Sequence, residues 1–182
     1  SELAIKLHRA LLSARKAADA DKAANSWLKE HPKDVAFRLY SGDLATARKD
    51  YPAAVHYYSA AVDIQPENAL ALNNLAWVSG QMKSPKALEY AERANRLAPN
   101  QPAFMDTLAM LMAEQGDTAG AVELLLKALK LAPQAAEIRL NLAKLLIRAG
   151  RKDDARVELD ALAKLGDKFS EQAEVKRMQG TL

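Results

Sequence analysis

Residues 97–135 read LAPNQPAFMDTLAMLMAEQGDTAGAVELLLKALKLAPQA, and the stretch closes on the phrase with which it opens. Pro99 and Pro133 stand 34 residues apart. The same ruler runs back to Pro66 and Pro32, in steps of 33 and 34. Each proline follows an apolar-periodic segment and precedes a short polar one: HPKD (31–34), QPEN (65–68), APNQ (98–101) and APQA (132–135). A proline there stops one helix, and the residues after it cap the next. Self-similarity at a fixed period of this length is the signature of a stacked repeat.

The intervals between prolines carry a second pattern. Twelve positions before each proline stands Ala20, Ala54, Ala87 or Ala121; five before, Ala61, Ala94 and Ala128, with Trp27 as the exception. Eight before come Ala24, Tyr58, Ala91 and Leu125. Earlier in the units, Ser41-Gly42, Leu75-Ala76, Leu108-Ala109 and Leu142-Ala143 match. Small residues let two helices approach where they cross, and large ones fill the space between pairs. The spacing predicts helices paired as 2–17 with 20–30, 34–48 with 51–64, 68–81 with 84–97, 101–115 with 118–131 and 135–149 with 152–165, and a last helix over 170–180. Ser84-Pro85 reads as an N-cap with proline in the first turn. Gly116 and Gly150 suit the left-handed position after a helix. Loops this short make paired helices antiparallel. The expected fold is all-α: a right-handed α-solenoid of five helical hairpins plus a C-terminal capping helix. It forms one domain over 1–182, with units 1–34, 35–68, 69–101, 102–135 and 136–168. The last unit lacks the closing proline, Gly166-Asp167 standing there, and residues 169–182 cover the otherwise open apolar face.

These residues resemble the tetratricopeptide repeat (TPR): a small residue at the eighth place, alanines at the twentieth and twenty-seventh, proline at the thirty-second. The aromatic usual at the fourth place is missing, and Arg38, Leu72, Met105 and Arg139 stand there. A finer resemblance is carried by LAIKLHRALL (3–12), LNNLAW (72–77), SPKALEYAERA (84–94), LAPNQPAFMDTLAM (97–110) and AEIRLNLAKLLIRAGRKDDARVELDAL (136–162). These phrases are similar to the C-terminal repeats of PEP-CTERM system TPR-repeat lipoproteins, although Ala109-Met110 replaces a Gly-Trp pair common there. That resemblance implies the last five repeats of such a protein, encoded with exosortase and exopolysaccharide genes in Gram-negative bacteria. It implies a place in the periplasm or at the outer membrane; without it a cytoplasmic location stays open.

Composition narrows the function classes. The formal charge is +3, from 26 basic and 23 acidic residues spread along the chain. A clustered basic face, as nucleic-acid binding needs, is absent, and so is a polybasic membrane-surface segment. There is no cysteine, hence no disulfide, thiolate metal site or cysteine nucleophile. No apolar run suits direct membrane insertion. His8, His31 and His56 lie in different repeats without a metal-ligand spacing and read as structural. The glycines are isolated, no G-x-S-x-G elbow occurs, and Asp153-Asp154 falls in a first helical turn, where it complements the dipole. No metal, no cofactor and no enzymatic activity are expected.

In a stack of this kind the first helix of each unit lines a concave face. The candidate groove residues are Lys6, Arg9 and Ser13; Tyr40 and Asp43; Asn73, Asn74, Trp77 and Gln81; Asp106, Thr107, Met110 and Glu114; and Asn141, Lys144 and Arg148. Asparagines can bond an extended peptide's backbone, Trp77 offers an amphipathic anchor, and Lys144 with Arg148 could meet a carboxylate. Structural alternatives stand beside each: Trp77 packed between repeats, Asn73 or Asn74 bonded between repeats, Lys144 and Arg148 solvated. The two-carboxylate clamp of chaperone-binding TPR domains is present only in fragments (Lys6 and Arg9, then Leu39 and Asp43), which argues against a chaperone-tail partner. The expected function is a non-catalytic scaffold for a peptide or partner helix, in the family reading within an exopolysaccharide or PEP-CTERM assembly. The alternatives are a carbohydrate-processing or other catalytic role and a structural spacer. End repeats could also pair two copies into a homodimer.

Overall fold

The computed structural model describes residues 1–182 and contains helices and turns without a strand. The α-helices are α1 (Glu2–Ser13), α2 (Ala17–Glu30), α3 (Val35–Ala47), α4 (Tyr51–Ile64), α5 (Ala69–Gln81), α6 (Ala87–Leu97), α7 (Pro102–Glu114), α8 (Thr118–Leu131), α9 (Ala136–Arg148), α10 (Lys152–Ala163) and α11 (Gln172–Gln179). They fall into two units, Ser1–Tyr90 and Ala91–Leu182, with the boundary inside α6. In the first unit α1 packs on α2, α3 on α4, and α4 along α5. In the second α7 packs on α8, α8 along α9, α9 on α10, and α10 on α11. The fold is the all-α, solenoid-type stacking that the period of 34 demands.

The first helix of every pair ends in the same device. Arg15, Lys49, Lys83, Gly116 and Gly150 have φ of 58°, 60°, 54°, 99° and 75°. The next N–H then reaches back five residues: Lys16 to Leu11 at 2.9 Å, Asp50 to Ala45 at 2.9 Å, Ser84 to Ser79 at 2.9 Å, Asp117 to Met112 at 3.0 Å and Arg151 to Leu146 at 2.8 Å. This is the Schellman arrangement. Only two of the five places hold glycine, so the sequence reading found only two. The left-handed Arg15 is why α1 stops at Ser13 instead of running to residue 17, and why α2 starts at Ala17. Helix starts use side-chain caps: Asp34 accepts from the Phe37 N–H at 3.0 Å, Asp50 from Ala53 at 3.1 Å, Asn68 from Ala71 at 3.0 Å and Asp117 from Gly120 at 2.9 Å. Ser84 does not open a helix directly. Its hydroxyl accepts from the Lys86 N–H at 3.4 Å, Pro85 and Lys86 form a turn, and α6 begins at Ala87.

The alanines read as crossing points are sealed: Ala54, Ala61, Ala121, Ala128 and Ala143 have no exposed surface. Gly42 shows why. A Cβ built there would lie 2.4 Å from the Tyr58 ring of α4. Tyr58 cannot yield, because its hydroxyl donates to Asp43 at 2.7 Å and lies 3.3 Å from the Thr46 hydroxyl. The missing fourth-place aromatic also has a physical substitute. The Arg38 and Arg139 guanidiniums each donate at 2.9 Å to the carbonyl of a unit-closing proline, Pro32 and Pro133 respectively. Arg139 additionally pairs with Glu158. At the C-terminal end, Phe169, Val175 and Met178 cover Leu140, Ala143, Leu159 and Leu162, as the capping role requires.

Unit one departs from the pattern. His8 occupies the eighth place, where the later units have Gly42, Ala76, Ala109 and Ala143. It is 5% exposed, and the place held by Tyr58 and Leu125 in the second and fourth units holds Ala24 here, as it holds Ala91 in the third.

Gly42→Ala is expected to lower stability by about 1–3 kcal/mol through overpacking, although alanine is the better helix former. Lys49→Gly, which relieves left-handed strain at some cost in unfolded-chain entropy, is expected to gain about 0.5 kcal/mol. Urea midpoints of the two variants check both; a neutral Gly42→Ala would contradict the close crossing.

Candidate functional site

In the N-terminal unit the groove candidates lie on α1, α3 and α5. The Arg9 guanidinium lies over the Tyr40 ring, 5.1 Å from its centroid, a cation–π contact worth about 0.5–1 kcal/mol at an exposed site. The Tyr40 hydroxyl is 2.7 Å from His8 Nδ1. Arg9, Leu12, Ser13, Tyr40, Asp43 and Leu44 surround a hollow of about 460 Å³. Asp43 accepts from Tyr58 at 2.7 Å and from Asn74 Nδ2 at 3.3 Å. Burial, reinforced by the Asp43 carboxylate, pushes the Tyr58 hydroxyl far above its usual pKa, so it stays a donor. Trp77 is 40% exposed, its ring edge-on to Tyr51 at 5.9 Å. Trp77 therefore offers an open aromatic face held from one side.

Other candidates in this unit are placed differently. Asn73 is 8% exposed, its amide donating to Asn74 at 3.4 Å while its Oδ1 is buried without a partner. Asn74 bonds between repeats, which was the structural alternative. Lys6 turns to Glu2, one turn back on its own helix, at 2.6 Å. Gln81 is exposed at the end of α5.

In the C-terminal unit Asn141 Nδ2 donates to both Asp106 oxygens, at 2.9 and 3.1 Å. Burial pushes the Asp106 carboxyl up; the Asn141 bonds draw it down, Glu137 raises it again and Lys144 lowers it, with a net rise. Asn141 thus repeats what Asn74 does: an asparagine of one repeat holds a carboxylate of the repeat before it. Thr107 is buried and donates to the Ala103 carbonyl at 3.2 Å, and Met110 packs against the core. Lys144 is held by Glu174 of α11 at 3.2 Å. Arg148 and Glu114 are exposed and carry no ion pair.

Two strong features escaped the sequence reading. Asp34 accepts from the Trp27 indole at 2.7 Å and from the Ser1 hydroxyl at 2.7 and 2.8 Å, besides its cap bond. Burial alone would raise its carboxyl, but the Phe37, Ser1 and Trp27 donors hold it below the usual range. The other feature is His8, whose signal was the imidazole standing in a small-residue place.

Two family models described as tetratricopeptide repeat match the chain, one over residues 6–69 and the other over residues 112–180. The chain contains tetratricopeptide repeats. It is similar to a TPR repeat-containing protein of Pseudomonas aeruginosa, 28% identical over 140 residues, covering 72% of this chain and 23% of that protein. It is also similar to the photosystem I assembly protein Ycf3 of Rippkaea orientalis, 33% identical over 89 residues, covering 40% of this chain and 51% of that one. The chain thus spans only part of either relative. Among solved structures, the type IV pilus biogenesis factor PilW matches with a TM-score of 0.80 at 19% identity, covering 98% of this chain and 86% of PilW. YrrB, described as a TPR protein with an unusual peptide-binding site, matches at 0.70 and 19%, covering 96% and 90%. Repeats of this family serve as protein-interaction and assembly scaffolds. No helix of this TPR chain is long and apolar enough to cross a membrane.

His8 links this site to pH. Burial pushes the imidazole below its usual value, Asp21 of α2 pulls it up, and Arg48 at the end of α3 pushes it down. The fold therefore favours the neutral ring. Its contribution is complete above the unfolded value of about 6.5 and fades as pH falls from there toward the folded value. The urea midpoint is expected to drop between about pH 7 and 5, and His8→Gln to flatten that drop. Equal slopes in the two proteins would contradict it.

Proposed function

We propose that the chain is a non-catalytic scaffold that takes a peptide segment or partner helix on the groove faces of its first helices: Arg9, Tyr40, Asp43 and Trp77 in the N-terminal unit, and Asp106, Asn141 and Arg148 in the other. The observation that carries this reading is the pre-ordering of the exposed groups. Arg9 rests on Tyr40, Tyr40 on His8, Asp43 on Tyr58 and Asn74, and Trp77 on Tyr51. Side chains already held lose little freedom on binding, so more of each contact appears as affinity. Tyrosine, tryptophan and arginine are the residue types that dominate interface energetics. The groove mixes both charges with amides and aromatic faces, which suits an extended backbone carrying mixed side chains. The peptide-binding description of YrrB and the assembly role in the name of Ycf3 agree with this reading. The envelope setting, with exopolysaccharide or PEP-CTERM components as partners, rests on the sequence phrases alone.

Partner capture from an envelope fraction tests the proposal. Trp77→Ala combined with Arg148→Glu is expected to weaken the captured partner at least about tenfold, or 1.4 kcal/mol, with helix content unchanged. Retention of every partner at wild-type strength would remove the groove from the account.

A further inference from the structure

We propose that the cleft between the first two hairpins of the N-terminal unit binds a small zwitterion, of amino-acid or dipeptide size, carrying both an ammonium and a carboxylate. The cleft adjoins the groove hollow through Leu44 and the His8–Tyr40 bond, but the proposal does not rest on the groove reading. Whereas α4 lies along α5 and α8 along α9, α2 meets α3 chiefly at one end, where Trp27 lies against Phe37 and donates to Asp34. The gap is a cavity of about 310 Å³, at the small end of the range for ligand sites.

The sequence leaves this space unfilled. In the second and fourth units this place holds Tyr58 and Leu125, with Leu75 and Leu142 in the units that follow; the first junction has Ala24 and Ser41, and the third unit has Ala91 followed by Leu108. A close-packed stack would not keep such a void if apolar side chains were meant to fill it.

The lining is polar, and most of its groups are unused. Arg48, at the end of α3, and Asp21, on α2, both line it, and neither side chain makes a hydrogen bond or ion pair with the protein. The Asn25 amide and Tyr57 hydroxyl on the rim are likewise free of hydrogen bonds. Asp50 is already committed to capping α4. His8 forms part of the floor with Nδ1 taken by Tyr40, which leaves Nε2 as its remaining polar atom. One unpaired guanidinium and one unpaired carboxylate therefore line the cavity, beside the Asp50 carboxylate whose Oδ1 caps α4. A simple anion would meet Asp21, and a simple cation would meet Arg48. Only a ligand with both charges satisfies the two together, through charge-assisted bonds that are about twice as strong as neutral ones.

The test is an NMR titration of the full chain with L-alanyl-L-alanine, followed at the Ala24, Asn25 and Ala53 amides. N-acetyl-L-alanine and L-alaninamide, each with one charge removed, are the comparison. Saturation with a Kd of about 1 mM or tighter is expected. The two single-charge probes, and the variants Arg48→Met and Asp21→Asn, are each expected to bind at least about tenfold more weakly. Both substituted residues are exposed, so folding is retained and circular dichroism checks it. No saturation by about 10 mM, equal binding of a single-charge probe, or full binding by either variant would overturn the proposal. None of these results would touch partner binding by the groove, which Trp77→Ala reports separately.

Discussion

Two helices joined by a three- or four-residue turn can cross closely only where one of them gives up its side chain. In this chain that surrender occurs at the eighth place of the last four units, Gly42, Ala76, Ala109 and Ala143, while unit one keeps His8 there. Gly42 under the Tyr58 ring is the tightest instance, a contact that leaves no room for one more carbon. From this crossing follow the antiparallel pairing, the sealed alanines and the outward presentation of the next turn of the first helix. The sixth and ninth places lie to the sides of that crossing, the ninth near enough for Asp43 to accept from Tyr58 of α4. Tyr40, Asp43, Asn74, Trp77, Asn141 and Lys144 occupy those two places.

A stack held only by small apolar contacts could slide along its axis, because alanine fits against alanine in many registers. Directed polar bonds remove that freedom. Asp34 gathers an indole, a hydroxyl and a backbone N–H at the joint between the first two repeats. Arg38 and Arg139 tie the start of a repeat to the proline that closes the one before. Asn74 and Asn141 each hold a carboxylate of the preceding repeat. Such bonds contribute about 1 kcal/mol each and leaving a buried partner unmade costs more, so they specify register better than they add stability.

Much of this was legible in the residues. Proline spacing and alanine positions placed all the helices, because both report on backbone geometry that repeats identically. What stayed hidden had no consistent letter. The left-handed turn is glycine twice and arginine or lysine three times, since the 6→1 bond tolerates any residue whose strain is small against the packing around it. The N-cap is Asp or Asn in four helices and missing elsewhere. For the groove, the places could be counted but the partners could not: Lys144 looked free until α11 brought Glu174 to it, and Asn73 lies on the buried side of α5 while Asn74 beside it reaches Asp43. His8 was passed over because a lone histidine is usually structural. Its meaning lay in comparison with Gly42, Ala76, Ala109 and Ala143, which no single residue displays.

The crossing constraint is best tested by a double-mutant cycle on Gly42→Ala and Tyr58→Ala, read as urea-unfolding free energies. The account predicts strong coupling: once the ring is gone, alanine at position 42 becomes neutral or favourable by up to about 1 kcal/mol, as helix propensity alone would have it. An identical penalty for Gly42→Ala with and without the Tyr58 ring would contradict the claim that this contact sets the hairpin.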